Sequence, residues 1–384
     1  MARNKTENNE TQPGDAETTV KVWDIWVRLF HWGLVMTVAT AALTGFFANA
    51  TWLQLHIIGG LMAGALVLAR IVWGLLGSRH ARFADFAPSP RAVIDHLRTQ
   101  SRGGTHRHLG HNPLGALMVF AVLALILSLA LSGLGTLGGV LRVGPLAPDL
   151  GTDTGFALRE AHEILALILA ALIALHLGGV AFESWRSREN LTRSMVTGRK
   201  PSRSGDVRHA PVRARGLIAL TLIALAGGGL AVANATLSGR PVPGLPTATM
   251  PELVTEECGA CHMAYHPALL PAANWHAIMR TLDDHFGEDA SLGTDDVAEI
   301  TAWLTTHAAE TVDTKPARLF ARGPEDALAI TARPAWQRLH ADLPETLFTT
   351  QPVGSASNCA ACHQDAETGR MSPFAITLPK ETQP

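Results

Sequence analysis

The chain has 384 residues, 47% of them hydrophobic and only 17% charged, with a formal net charge of −2. That composition is too apolar for an ordinary soluble enzyme of this size. Nothing in it points to a nucleic-acid partner, and no nucleotide-binding glycine loop, flavin fingerprint or catalytic triad pattern stands out.

Residues 1–20, "MARNKTENNETQPGDAETTV", are polar and lack the apolar core and cleavage site of a signal peptide, so they read as a disordered cytoplasmic tail. Five stretches then follow, at about 29–49, 52–77, 114–141, 155–182 and 216–236. Each is long enough to cross a hydrocarbon core about 30 Å thick, which takes about 20 apolar helical residues. The first is expected to act as an uncleaved anchor.

The loops set the orientation. Between the second and third spans lie Arg79, Arg82, Arg91, Arg98, Arg102 and Arg107 against Asp85 and Asp95. Between the fourth and fifth lie Arg186, Arg188, Arg193, Arg199, Lys200, Arg203, Arg208, Arg213 and Arg215 against Glu183, Glu189 and Asp206. Positive loops stay inside, so both are expected in the cytoplasm and "RVGPLAPDLGTDT" outside. The amino terminus is then cytoplasmic and the carboxyl region periplasmic, across a bacterial inner membrane.

The segment "LSGRPVPGLPTATM", 237–250, is rich in proline and glycine and reads as a linker that separates anchor from outer domain. From residue 236 onward there are nineteen acidic and nine basic side chains. Such an outer face steers a basic soluble partner. The divisions expected are 1–20, a membrane domain at 21–200, the fifth span and linker at 201–250, and a periplasmic domain at 251–384. The fold class expected is all-α: a transmembrane helical bundle followed by a mainly α soluble domain, with "DDVAEITAWLTTHA" at helical period.

All four cysteines belong to C-x-x-C-H pentapeptides, "CGACH" at 258–262 and "CAACH" at 359–363. In this pattern two thiols hold a haem covalently and the adjoining histidine binds its iron. Zinc or a disulfide would explain the thiol pairs but not a histidine after each. Two covalently attached c haems are therefore expected, on Cys258, Cys261 and His262 and on Cys359, Cys362 and His363. In bacteria that attachment takes place outside the cytoplasmic membrane, in agreement with the charged loops.

Within "EAHEILALILAALIALHLGG", 160–179, His162 and His176 are fourteen residues apart. Fourteen helical steps return to within about 40° of the starting face and advance about 21 Å, so one helix face offers imidazoles at two depths. Ionisable groups inside a span are costly and mark function. Depth pairs His31 with His176 on the cytoplasmic side and His56 with His162 on the external side, and two bis-histidine b haems would fit a four-helix core. His80, His106, His108, His111 and His209 fall in or beside the basic loops and read as solvated or interfacial. Arg28, one turn before His31, and Arg70, fourteen residues after His56, are placed to hold haem propionates or to snorkel to the interface.

"VWDIWVRLFHW" at 22–32, "HIIGGLMAGALVLARIVWGLLGSRHARFADF" at 56–86, "GHNPLGALMV" at 110–119 and 160–179 resemble the bacterial cytochrome b561 family, which overlaps with the b-type membrane subunits of nickel-iron hydrogenases. The resemblance covers 20 to about 200 and implies two b haems on His31, His56, His162 and His176. The fifth span and everything after it depart from that pattern. "CGACHMAYHPALLPAANWHAIMRTLDDHFGEDASL" at 258–292 and "CAACHQDAETGRMSPFAITLP" at 359–379 resemble the dihaem cytochrome c domain. That resemblance implies histidine on both sides of each c-haem iron and favours His285 and His340 as distal ligands. His266, His276, His307, Met263, Met279 and Met371 remain alternatives, and which distal residue serves which haem stays open. His266 follows His262 by four residues; on a continuing helix it would share that side of the iron.

Two b haems across the membrane and two c haems outside it would form a route for single electrons, so a respiratory-chain electron-transfer protein between the membrane quinone or quinol pool and a soluble periplasmic redox partner is expected, with the direction of flow open; its enzymatic form would be a quinol:cytochrome c-type oxidoreductase. The alternatives are superoxide oxidation at the outer b haem with quinone reduced, or an anchor subunit for a separate dehydrogenase or hydrogenase.

Overall fold

The computed structural model describes residues 19–48, 50–102, 107–203, 206 and 213–379. Residues 1–18 of the expected tail, and His106 and His209, lie outside these.

Thr19 and Val20, expected in the tail, instead belong to strand β1 (Thr19–Lys21), which pairs antiparallel with β2 (Arg199–Pro201), Val20 facing Lys200. The pairing has a local cause. Helix α7 (Leu191–Thr197) is capped at its start by the Asn190 side chain and ended by Gly198 at φ +77°. The carbonyl of Gly198 then accepts the amides of Val22 and Trp23 at 2.9 and 3.1 Å, fixing where the chain enters the first span. A left-handed C′ glycine is the usual way to stop a helix and turn the chain.

Helix α1 (Ile25–Phe46) begins after Asp24, whose carboxylate accepts the Val27 amide at 2.8 Å as an N-cap. It is followed by α2 (Leu53–Leu76), α3 (Phe83–Phe86), α4 (Pro90–Ser101), α5 (Pro113–Gly139), α6 (Thr152–Ser187), α7 and α8 (Gly216–Ser238). Among the described residues five helices, α1, α2, α5, α6 and α8, are long and apolar enough to cross a membrane. Helix α6 runs 36 residues, beyond the expected 155–182 at both ends, because Asp153, Glu183 and Arg186 lower hydropathy without breaking a helix. The C-terminal domain holds α9 (Glu252–Gly259), α10 (Ala272–Met279), α11 (Thr294–Thr306), α12 (Lys315–Phe320), α13 (Pro334–Leu339) and α14 (Glu345–Thr349), joined by short 3-10 turns. The architecture is mostly helical.

The chain divides into two units, one of the described residues up to Ala42 with Ile58–Ala130 and Ile164–Gly228, the other of Leu43–Ile57, Leu131–Glu163 and the described residues from Gly229. In the first, Ala63, Val67, Leu123, Ile126 and Leu169 form an interhelical core, and a second cluster joins Val22, Trp23, Val27, Trp73, Ala81 and Ala219. Large apolar side chains such as Leu175, Leu217 and Leu225 point outward, as lipid rather than water requires. In the second, the C-terminal domain's core is built on Val254, Leu269, Leu270, Trp275, Ile278, Met279, Ile300, Leu304, Phe320 and Ile330, with α10 packed on α11.

Candidate functional site

Four groups of histidines are set by these elements. In the second unit, His56 in the first turns of α2 faces His162 on α6, ring centroids 6.1 Å apart and planes at 75°. Glycines on neighbouring helices make the room. A Cβ at Gly45 would lie 2.9 Å from His56 Cε1, and one at Gly133 3.3 Å from His162 Cε1. Ser132 Oγ lies 3.1 Å from His162 Nδ1; with Nδ1 engaged, Nε2 is the nitrogen left for a metal. In the first unit, α1 and α6 bring His31 and His176 within electrostatic reach of each other. His31 Nδ1 is buried with no hydrogen-bond partner.

The first C-x-x-C-H straddles the end of α9, with Cys258 in its last turn and Cys261 and His262 beyond it. His262 Nδ1–H donates to the Met263 carbonyl at 2.8 Å. His285 stacks opposite, centroids 6.2 Å apart and planes at 25°. A tight turn carries it: the His285 amide donates to Glu288 O at 2.7 Å, with Phe286 at φ +57° and Gly287 at φ +97°. The second C-x-x-C-H is a 3-10 turn at Cys359–Ala361. A strap pins it: Thr377 and Gln364 amides donate to Cys362 O and Ala375 O, each at 2.9 Å. His340, just past α13, donates Nδ1–H to Trp336 O at 2.8 Å. Its ring lies 6.2 Å from that of His363, at 71°.

These spacings test the fit to haem. Metal–imidazole bonds of about 2 Å on both sides place two ring centroids about 6 Å apart once the ring radii are added. Three of the four pairs stand at 6.1–6.2 Å, the separation that a metal ion shared by two imidazoles would need. Burial lowers the pKa of His285 and His363, with His262 and His340 respectively adding to the effect, so the neutral, metal-binding imidazole is favoured. Burial also pushes the Cys359 thiol up to about 11 and raises Cys258 and Cys362.

His285 therefore lies against His262 and His340 against His363, a pairing the sequence leaves open. The alternatives lie elsewhere. Met279 is in the core and Met371 packs on it, His276 is exposed on α10, and His307 Nδ1–H donates to Trp303 O at 2.9 Å. His266, contrary to expectation, does not share a helix with His262. Helix α9 stops at Gly259, so His266 is not on a continuing helix; its Nδ1 accepts the Ala268 amide at 3.1 Å. Burial, then His307, depress its pKa to about 4.

Arg70 is buried at 3% exposure, its guanidinium 4.9 Å over the Phe83 ring and 5.9 Å from Phe30, with Nη1 lacking a partner. Arg28 donates from Nη1 to the Val196 carbonyl, tying α1 to α7. His111 is a second correction. Rather than solvated, its ring is enclosed by Trp23 at 4.8 Å and Phe86 at 4.6 Å, and burial, then Arg70, push its pKa down to about 3. The polar "GHNP" context hides this, because the two covering aromatics lie 88 and 25 residues away in the chain. Asp24, absent from the sequence-based site, accepts from Val27, from Trp73 Nε1 at 3.1 Å and from Ser78 Oγ at 2.5 Å; its position just before an apolar run is a helix-start signal.

Comparison with known proteins follows the same division. Residues 22–198 match the family described as prokaryotic cytochrome b561, and residues 254–371 the family described as dihaem cytochrome c. A probable Ni/Fe-hydrogenase B-type cytochrome subunit of Rhizobium leguminosarum bv. viciae is 23% identical over 220 residues, 47% of this chain and 89% of that one. Its counterpart in Azotobacter chroococcum is 26% identical over 214 residues, 47% and 88%. Among solved structures, DHC from Rhodobacter sphaeroides is 39% identical, covering 32% of this chain and 99% of that one at a TM-score of 0.26. The dihaem cytochrome c of Shewanella baltica is 35% identical, at 34%, 95% and 0.28. Residues 22–198 belong to the prokaryotic cytochrome b561 family and residues 254–371 to the dihaem cytochrome c family.

Proposed function

We propose that the chain relays single electrons between the quinone pool of a bacterial inner membrane and a soluble periplasmic redox protein. The observation that carries the reading is the repeated separation of about 6 Å between imidazole rings, once among the apolar helices and twice in the outer domain. His31 with His176 and His56 with His162 would hold two b haems. His262 with His285 and His363 with His340 would hold two c haems, tethered through Cys258 and Cys261 and through Cys359 and Cys362. Haem supplies reversible one-electron chemistry at each place, without a proton acceptor from the protein.

The protein's own groups do the rest. Backbone carbonyls at Met263 and Trp336 fix the rings of His262 and His340 and keep Nε2 on the metal side. Arg70, buried with an unsatisfied Nη1, is the natural partner for a propionate, because an unpaired buried cation is costly; Arg28, nearby in sequence to His31, is the second candidate. The amino terminus is cytoplasmic and the outer domain periplasmic, where its carboxylates favour a partner with a basic docking face.

A second reading, an electron-transfer anchor for a separate hydrogenase, is favoured by the relatives described as Ni/Fe-hydrogenase subunits. One experiment separates the two. Purified chain in lipid nanodiscs is examined by pyridine haemochrome and by quinol-driven reduction. The relay predicts equal b and c haem, full reduction of both by quinol alone, and loss of one b haem but no c haem in His176→Ala. Only covalent haem in the wild type would sink the reading, and reduction that requires a copurifying hydrogenase would favour the anchor.

A further inference from the structure

The proline- and glycine-rich segment 237–250 reads as a free linker, but in the structure it is trapped. Asp313, in the loop before α12, accepts the Thr152 amide at 3.1 and 3.3 Å through its two carboxylate oxygens, and the Thr152 hydroxyl donates to the Asp313 carbonyl at 3.2 Å. The Asp313 amide donates to Gly244 O at 2.7 Å. Arg142 completes the knot: its guanidinium donates to the carbonyls of Leu150 and Pro243 and lies 3.9 Å from the Asp313 carboxylate. Arg318 bridges Asp153 at 3.1 Å and Asp313 at 3.6 Å, and Arg240 bridges Asp149 at 2.5 Å.

Several features mark this as a built contact. Thr152 is fully buried, Thr314 is 2% exposed and Arg142 8%. Arg142 holds φ +56°, a left-handed conformation that a non-glycine residue keeps only where its surroundings demand it. Gly244, at φ +76°, allows the approach: a Cβ there would lie 2.7 Å from Asp313 Cβ. The carboxylate also caps the start of α6, where the helix dipole favours negative charge. Ten residues further along that helix is His162.

We propose that Arg142, Asp313 and Arg318 form an intramolecular clamp that holds the dihaem domain in one orientation on the helix carrying His162. They act as positioning residues for electron transfer between the outer b site and the c sites. The clamp deepens, and rests on, the relay reading. An unclamped fourteen-residue flexible linker would let the domain wander over about 20 Å root-mean-square. With the clamp closed, the domain is presented at one distance.

The test is hydrogen exchange by mass spectrometry on the full haem-loaded chain in nanodiscs, comparing wild type with Asp313→Ala and Arg318→Ala. The amides of Thr152 and residue 313 should exchange at least tenfold faster in Asp313→Ala, with α11 unchanged and both c haems retained. Arg318→Ala, at a partly exposed pair, should move the same amides in the same direction by less, and serves if the first variant does not fold. Stopped-flow quinol reduction should show c haems lagging b haems in both variants, with the lag absent from wild type. Thr152 and Asp313 amides that exchange at unprotected rates in wild type, or equally in all three proteins, overturn the clamp. Failure of quinol to reduce wild-type c haems would overturn the relay instead and leave the exchange result standing.

Discussion

Replacing Asp24 by alanine tests how the first span is anchored. The carboxylate accepts from Val27 N, Trp73 Nε1 and Ser78 Oγ, joining the start of α1 to the end of α2. Loss of the N-cap costs about 1 kcal/mol. Trp73 is only 8% exposed, so its indole N–H would be left dry, at about 1–3 kcal/mol. The Ser78 hydroxyl can turn to another acceptor, so its loss is nearer the net value of about 1 kcal/mol. The combined effect is about 3–5 kcal/mol, or a fall in Tm of about 10 °C. Because His31 sits seven residues along α1, one b haem should be released first. Thermal melts of the purified chain in nanodiscs, followed at the b-haem absorbance, measure it. Asp24→Asn keeps one acceptor oxygen and should lose about half as much. A Tm change under about 2 °C in the alanine variant, or simultaneous loss of both b haems, would refute the reasoning.

Two further changes address the C-terminal domain. Tyr265→Phe keeps the ring 5.1 Å from that of His262 but removes the hydroxyl that donates to Ser357 O at 2.6 Å. It should destabilise the domain by about 1 kcal/mol with both c haems still attached, and an unchanged urea midpoint contradicts that. His266 is held at about 4 in the fold against an ordinary 6.5, so between those values the unfolded chain takes up a proton the fold does not. Stability should fall by about 2 kcal/mol as pH drops from about 6.5 to 4 and then level off. His266→Gln should flatten that slope in urea titrations, and an equally steep slope in the variant would assign it to other groups.

What was legible in the sequence follows from range. The five spans and the two C-x-x-C-H motifs are contiguous signals, each read from one unbroken stretch of about 30 residues or fewer, and hydropathy or spacing alone reveals them. Fourteen helical steps between His162 and His176 are likewise local. The β1–β2 pair was illegible because its three-residue strands lie about 180 residues apart and neither has a strand pattern of its own. The Asp313 clamp was illegible for the same reason, since one aspartate between "ETV" and "TKP" has no motif. The burial of His111 is hidden in the same way, because a polar loop composition does not reveal that Trp23 and Phe86 close over it.

The distal ligands show where local pattern stops and packing takes over. The C-terminal domain contains the same local device twice, a tryptophan four residues before a histidine. In Trp303–His307 and Trp336–His340 alike, Nδ1–H donates to the tryptophan carbonyl, at 2.9 and 2.8 Å, and the rings lie 5.2 and 4.4 Å apart. Both histidines therefore turn Nε2 away from their helix in the form a metal requires. What lies beyond Nε2 differs. His340 meets His363, whose Nδ1 is buried without a partner. His307 instead acts electrostatically on His266, whose Nδ1 already accepts from Ala268 N at 3.1 Å and whose ring also bonds the Ala248 backbone. A ring with no free lone pair cannot share a metal. His266 is therefore removed from the ligand set by its hydrogen bonds, a stronger ground than helix geometry, and the Trp–x–x–x–His unit prepares a ligand without deciding whether it is used.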